Sequence, residues 1–401
     1  MELFAVNKQW ASRPDDERFL SLPAMREAVQ ASKDRSQQIV IPYRKLLVQA
    51  TGKQNGLTIV DTRKDLDVGA PTNWAFQQLC IKSGAPSYYL RTLPAELAAQ
   101  NVNHGLKIHG GVEKAQLLTR TSGVDAPVKE TRAFTSAKYG RVWDAEVLDK
   151  LIDRFGDGAT GEWRVPGEWK KLVEVTKENT TLYWSDRSMF IFLCNETNRI
   201  EVKNRRDGKA GSMARGFYLW NSEVGAETLG FASFYFDEVC ANRIIWGASN
   251  FQQVKIRHSK TAPDRFLKDV TPVLNDYANK AAVTEERTIA AAQAFLIGGK
   301  DGGPKDVDKF MGKVFGPKLV GPMTVNHMRE EGTDIRSLFD VVTASTAYAR
   351  RIPHTDDRLA LETKAGKLLD LVAVDVTPKY TQGRRYTMAD DKARDAFNAA
   401  A

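Results

Sequence analysis

From residue 114 to about 260 the chain reads as a series of short runs, QLLTR, TRAFTS, TLYW, MFIFLC, RIEV, GFYLW and VKIRH, rich in β-branched and aromatic residues. Turn signals such as SDRS and RDGKAG separate them. Strand side chains alternate between two faces, so short runs like these hide an apolar face only by lying beside one another; short polar connections favour antiparallel neighbours. The stretch predicts a meandering antiparallel sheet. One helix interrupts it: in WDAEVLDKLIDRFG, Ala145, Leu148, Ile152 and Phe155 recur at helical spacing. A sheet and a helix packed together make the fold class α+β.

The flanks carry the other period. Residues 1–113 read as a mainly helical region. In NWAFQQLCIKSG, Phe76, Leu79 and Cys80 share one face and Gly84 follows as a C-cap. GAPSYYLRTLPAELAAQ then enters a second helix, an order shared by helix-turn-helix elements and ordinary helical hairpins. Residues 261–376 return to helix, with TEERTIAAAQAF and SLFDVVTASTAYAR, where Leu338, Val341, Val342 and Ser345 lie on one face; GGKDGG and GPKLVGP break the region into pieces. Residues 377–401 are polar with few large apolar side chains and predict a loose tail.

Several function classes lack their signatures. No run of 18 apolar residues and no signal-peptide pattern occurs in the sequence, so a soluble, cytoplasmic protein is expected, without a membrane partner. Cys80, Cys194 and Cys240 are far apart in apolar contexts and predict reduced, buried thiols. His104, His109, His258, His327 and His354 form no metal-ligand spacing, and no C-x-x-C, phosphate-binding G-x-x-x-x-G-K-[ST] or G-x-S-x-G occurs. No metal and no cofactor is expected. Strand-borne carboxylates can nevertheless hold magnesium, and Asp186, Glu201, Glu223, Asp237 and Glu238 are the candidates for a metal-dependent nuclease.

Aromatic and basic residues are concentrated together. Trp143, Trp163, Trp169, Trp184, Trp220 and Trp246 fall within about a hundred residues of one another. Exposed aromatic faces stack on bases without reading sequence. RIEVKNRRDGKAGSMAR carries Arg199, Lys203, Arg205, Arg206, Lys209 and Arg215 against Glu201 and Asp207, six cations to two acids, and reads as a hairpin with a basic loop. VKIRHSKTAPDRFLK adds Lys255, Arg257, Lys260, Arg265 and Lys268 against Asp264, with His258 beside them. Lys138 and Arg141 in AKYGRVW, Arg243 in ANRII and Trp220 complete the candidate nucleic-acid contacts. The formal net charge of +8 permits a polyanionic partner.

The motifs FQQLCIKSGAPSYYLRTLPAELAAQNVNHGL, RAFTSAKYGRVWDAEVL, RGFYLWNSEVGAETLGF, VCANRIIWGA, VKIRHS, AYARRI and LALETKAGKLL occur in that order. Over roughly residues 70–370 the chain resembles the uncharacterised "phage/plasmid-like protein" family of bacteria and their mobile elements. That family is titled a domain of unknown function. Its association with phages and plasmids implies single-strand handling, recombination or evasion of host defence.

These observations lead to a non-enzymatic, sequence-tolerant nucleic-acid-binding protein, with single-stranded DNA as partner, strand annealing as an extension, and a homo-oligomer as the assembly. A metal-dependent nuclease and a protein-binding module with aromatic anchors are the alternatives. Within GFYLW, Phe217 and Leu219 should face one way and Tyr218 and Trp220 the other. Asn221 and Ser222 should then close the strand, Glu223 pair with a basic neighbour and Gly225 turn the chain.

Overall fold

A computed structural model of the chain describes residues 14–372, apart from 53–55, 110–112, 123–127, 166–174, 179, 203–210, 238–241, 245–253, 271, 273–282, 350 and 353–354. Among the described residues the fold is α+β, with two sheets. After β1 (Arg18–Phe19), α1 (Leu22–Asp34) starts at Ser21, whose Oγ accepts from the Ala24 N–H. Its buried Leu22, Met25 and Val29 turn away from the first sheet and into the core beneath the second.

The first sheet holds β2 (Ser36–Pro42), β3 (Leu46–Ala50), β4 (Leu57–Asp61), β5 (Leu66–Pro71), β6 (Lys114–Ser122) and β7 (Val128–Ser136), in the order β2-β6-β7-β5-β4-β3. Only β5 and β7 run parallel. The two edge strands, β2 and β3, are joined by the single 3-10 turn Tyr43–Lys45. A flat six-stranded sheet would hold its edges about 24 Å apart, whereas that connection reaches roughly 14 Å. The sheet must therefore curl. Arg63, locked to Asp61 at 2.7 Å, reaches across the gap and donates from Nη2 to the Val40 carbonyl (3.1 Å).

Two helices fill the curl: α2 (Asn73–Ser83), capped by Thr72 and ended by the left-handed Gly84, and α3 (Ala95–His109). Phe76, Leu79, Cys80, Val102 and Leu106 meet Ile41, Val48, Ile59, Leu117 and Phe134 in one core. Asn103 clasps the edge strand β3, donating to the Val48 carbonyl and accepting from its N–H, both at 2.8 Å.

Among the described residues up to 109 the helices α1, α2 and α3 hold more of the chain than the strands do, but the helical region contains strands as well. Segment 36–71 forms four strands, and α1 leaves the region to pack on α4 (Asp144–Phe155), tied by Arg26 to Asp149 and Lys33 to Glu146, each at 2.8 Å. The physical reason is the size of the apolar faces: α1 and α4 each present one stripe, and both stripes close on the second sheet.

That sheet contains β8 (Trp163–Arg164), β9 (Leu182–Trp184), β10 (Met189–Val202), β11 (Gly211–Asn221), β12 (Leu229–Asp237), β13 (Asn242–Ile244) and β14 (Val254–Ile256). Its main path is β1-β9-β10-β11-β12-β13, antiparallel throughout. The long β10–β11 pair runs from Met189↔Asn221 to Val202↔Gly211, with a bulge between Asn195 and Ile200. Phe217 and Leu219 enter the core with α1 and α4, while Tyr218 stacks among Phe190 and Phe192 on the other face, as the period of two requires.

Beyond the bulge, Ile200, Val202 and Met213 belong to a different core, built by α5 (Val283–Ala294), α6 (Pro304–Phe315), α7 (Pro317–Glu331), α8 (Leu338–Ala349) and α9 (Thr355–Gly366). This is the expected C-terminal helical region. At its centre α8 is buried on every side rather than along one stripe, and its hydroxyls turn back on their own helix, Ser345 Oγ to the Val341 carbonyl and Thr346 Oγ1 to that of Val342. The expected tail, 377–401, lies outside the described residues. Among the described residues no helix is long and apolar enough to cross a membrane. Cys80 and Cys194 are buried and not in a disulfide; Cys240 lies outside the described residues.

Candidate nucleic-acid interface

Residues 221–225, at the end of β11, are where the two sheets interlock. Asn221 Nδ2 donates to the Val142 carbonyl (2.9 Å) and to Asp144 Oδ1 (2.7 Å). Ser222 Oγ donates to the Arg187 carbonyl (2.6 Å), and the Ser222 carbonyl accepts from the Tyr139 hydroxyl (2.9 Å). Glu223 accepts from Arg132 Nη1 (3.1 Å) and from the Asp144 N–H (3.0 Å), and its carbonyl takes Arg141 Nε (2.8 Å). The Val224 carbonyl accepts from Trp74 Nε1 (3.0 Å) and Gln78 Nε2 (2.8 Å). Gly225, at φ +79°, turns the chain away. Most of these donors come from α2, β7 and residues 139–141, so elements of the curled sheet and the segment leaving it grip a turn of the second.

The Glu223 carboxylate also serves α4. Trp143 at its N-cap offers no side-chain hydrogen bond, and the first N–H of the helix is satisfied from outside by Glu223. Asp144 accepts on its other oxygen from Trp184 Nε1 (3.1 Å). Burial, reinforced by the neighbouring Glu223, pushes the Asp144 carboxyl well above its ordinary range. Burial lowers Arg141 to about 10. These groups are enclosed and already paired, so they can hold the sheets together but cannot reach a solvent-borne substrate.

The carboxylates proposed for magnesium do not assemble among the described residues. Asp186 pairs with Arg120 (2.7 Å) and Glu223 with Arg132, while Glu201 and Asp237 lie on β10 and β12 with side chains outside the description and Glu238 lies wholly outside it. Among the described residues no group of three His, Cys, Asp or Glu could hold a metal ion.

The predicted nucleic-acid contacts divide sharply. Arg141 is 5% exposed, Arg215 1% and His258 8%. This corrects their reading as phosphate contacts, because a phosphate cannot follow them inside. Arg141 is spent on the Glu223 carbonyl and Gln38, and His258 Nδ1 lies 3.1 Å from the Gly140 carbonyl with its ring stacked on Tyr139. Arg215 sits on β11 at the bulge. Trp220 is half-buried on β11; Trp143 and Trp184 are half-buried and Trp163 is buried. Trp169 and Trp246, like Lys203, Arg205, Arg206 and Lys209, lie outside the described residues, as do the side chains of Arg243 and Lys255. Lys138 and Arg257 are exposed.

Lys138 belongs to a cluster that no run of sequence displays. Pro42 pairs with Lys114 in the β2–β6 ladder, the Tyr43 N–H donates to the Glu113 carbonyl, and the Ala137 N–H donates to that of Lys114. Arg44, Lys45, Lys114 and Lys138 are thereby gathered at one end of the curled sheet, all exposed. Lys82 joins them, bonded to Glu113 at 2.5 Å with its ammonium 4.8 Å from the centre of the Tyr43 ring. The Lys82 hydrogen bond, with help from the Lys138 charge, holds the Glu113 carboxyl below its usual range. Lys82 and Lys138 thus act on the Glu113 carboxylate, and Arg44, Lys45 and Lys114 lie close by along the backbone. Sequence reading found only Lys138, because the five come from four separate segments.

No protein-family model, no curated protein and no solved structure matches this chain.

Proposed function

We propose that the protein binds nucleic acid without sequence preference, through the phosphates of a single strand, and performs no chemistry of its own on it. The observation that carries this reading is the convergence of Arg44, Lys45, Lys82, Lys114 and Lys138 at one end of the curled sheet, beside Glu113. Cations collected on one surface attract a polyanion by releasing its condensed counterions, whatever the base sequence. Bases left free of the protein can pair, so strand annealing, assisted by a homo-oligomer that repeats the patch along the strand, is the extension of this reading. The resemblance to phage and plasmid proteins agrees with it by association only.

The test is fluorescence anisotropy with an oligo-thymidine over a range of salt concentrations. Exchanging Lys45, Lys114 and Lys138 for Glu should weaken binding steeply at low salt and flatten the salt slope by about 2, at about 0.7 per lost phosphate contact. These are surface positions, so the urea midpoint should hardly move. A folded variant with unchanged affinity and slope would overturn the assignment.

A second reading has its own observation. Tyr88 is 85% and Ile81 73% exposed on the α2–α3 side, the kind of apolar anchors that a protein partner buries.

A further inference from the structure

At the end of α3 far from the basic cluster, the curled sheet opens into a cleft of about 650 Å³. Ala95 and Ala98, in the first turn of α3, line it, whereas the cluster around Glu113 follows the helix's last residue, His109. The helix has 15 residues, so roughly 22 Å separates the two places. The cleft is thus a separate site.

We propose that this cleft binds a nucleotide, with the base against its apolar wall and the phosphate on Arg91 and Lys129. The wall is made by Leu57, Leu93 and Val128, backed by Phe76 and Leu90. Phe76 and Leu90 are also core residues, so that surface is fixed before any ligand arrives. The Arg91 guanidinium lies 5.3 Å from the centre of the Phe76 ring and donates from Nη2 to the Asn73 carbonyl (3.0 Å), which pins the group at the rim with further donors to offer. Lys129 stands on β7, where the chain passes so close to β5 that a Cβ on Gly69 would sit 2.6 Å from the Lys129 carbonyl; Gly69 also adopts φ +108°. Lys129 and Asp67 both line the cleft. Asp67 accepts from Thr58 Oγ1 (2.5 Å) and the Gly69 N–H (2.9 Å), both on Oδ1, so Oδ2 can accept from a ligand.

The combination selects the ligand class. Two cations against one carboxylate favour an anion. The volume lies within the range of small-molecule sites, about 300–1,000 Å³, and mouths of curled sheets are common places for them. An acyl chain would fill the apolar wall but offer no donor to Asp67. A nucleotide supplies a flat ring, donors on base or ribose, and a phosphate that Arg can hold through two bonds.

The full-length protein should be titrated calorimetrically with AMP, GMP, CMP and UMP, and with adenosine and inorganic phosphate as fragments. Saturable binding of at least one monophosphate is expected, at least tenfold tighter than either adenosine or phosphate alone. Lys129→Glu, an exposed change that leaves the core untouched, should weaken the monophosphate at least tenfold and leave adenosine unchanged. Arg91→Lys, which keeps the charge but loses the forked donor, should weaken it by a smaller factor. Exchanging Lys45, Lys114 and Lys138 for Glu should leave mononucleotide binding intact, which separates this site from the single-strand surface. No saturable binding of any of the four monophosphates at millimolar concentration would overturn the proposal, and so would binding that Lys129→Glu does not change.

Discussion

Arg132 and Glu223 form an enclosed ion pair, at 3.1 Å with side chains 1% and 2% exposed. Removing one partner of such a pair leaves a charge that neither water nor protein neutralises. Arg132→Ala should therefore cost about 3–5 kcal/mol, read from the urea midpoint, and adding Glu223→Ala should cost less than the sum of the two single changes. His258 gives the molecule a dependence on pH. Burial is the main force lowering it, from its ordinary 6.5 to about 4, with the charge of Arg141 acting the same way against the hydrogen bond to Gly140. The unfolded chain then binds the proton first, so the stabilisation is complete above pH 6.5 and is lost as pH falls from 6.5 toward 4, on the order of 3 kcal/mol. His258→Gln should remove that part of the slope, measured as the difference between urea midpoints at pH 7.5 and 4.5 in the two proteins. An equal difference in both would mean that His258 is not the group responsible.

Between elements, close approach matters more than charge. α2 and α3 meet where an added Cβ on Gly105 would lie 2.0 Å from the Ser83 carbonyl oxygen, a backbone atom with nowhere to go. Gly105→Ala should push the helices apart and destabilise the protein by about 1–3 kcal/mol in urea unfolding, even though alanine is the better helix former by about 1 kcal/mol. A neutral or stabilising result would mean that the two helices can separate without loss. The periods of α2 and α4 were legible in the sequence, since Phe76, Leu79 and Cys80, and Ala145, Leu148 and Phe155, all reach a core. Strands β2 to β5 were not, because each is only five to seven residues long and their burial shows little clean alternation, β4 burying its last three residues in a row. Runs that short are read as strands only where alternation or flanking turn signals mark them.

At the scale of the molecule, the grip of α2 on the turn after β11 couples two sheets that have separate cores. Trp74 and Gln78 both donate to the Val224 carbonyl, and Arg187 lies over the Trp74 ring at 4.3 Å. Replacing Trp74 with Phe and Gln78 with Leu leaves that carbonyl without these two donors, a loss of about 1–3 kcal/mol. It should split the calorimetric unfolding transition in two, the curled sheet melting first. One unsplit transition in the variant would place the coupling in Arg132 and Arg141 instead.

The sequence by itself determined what depends on neighbours along the chain: the α+β class, the helical periods at 73–83 and 144–155, the alternation of Phe217 and Leu219 with Tyr218 and Trp220, and the closing of the strand by Asn221 and Ser222. It also required that Glu223 find a cation. Tertiary structure alone decided which one, since Arg132 lies 91 residues away along the chain. It also decided that Arg141 and Arg215 point inward, and that Arg44, Lys45, Lys82, Lys114 and Lys138 come to one end of the curled sheet. A run of basic residues records composition, whereas burial and charge density depend on which segments the curl of a sheet brings together, and that is fixed by contacts between residues far apart in the chain.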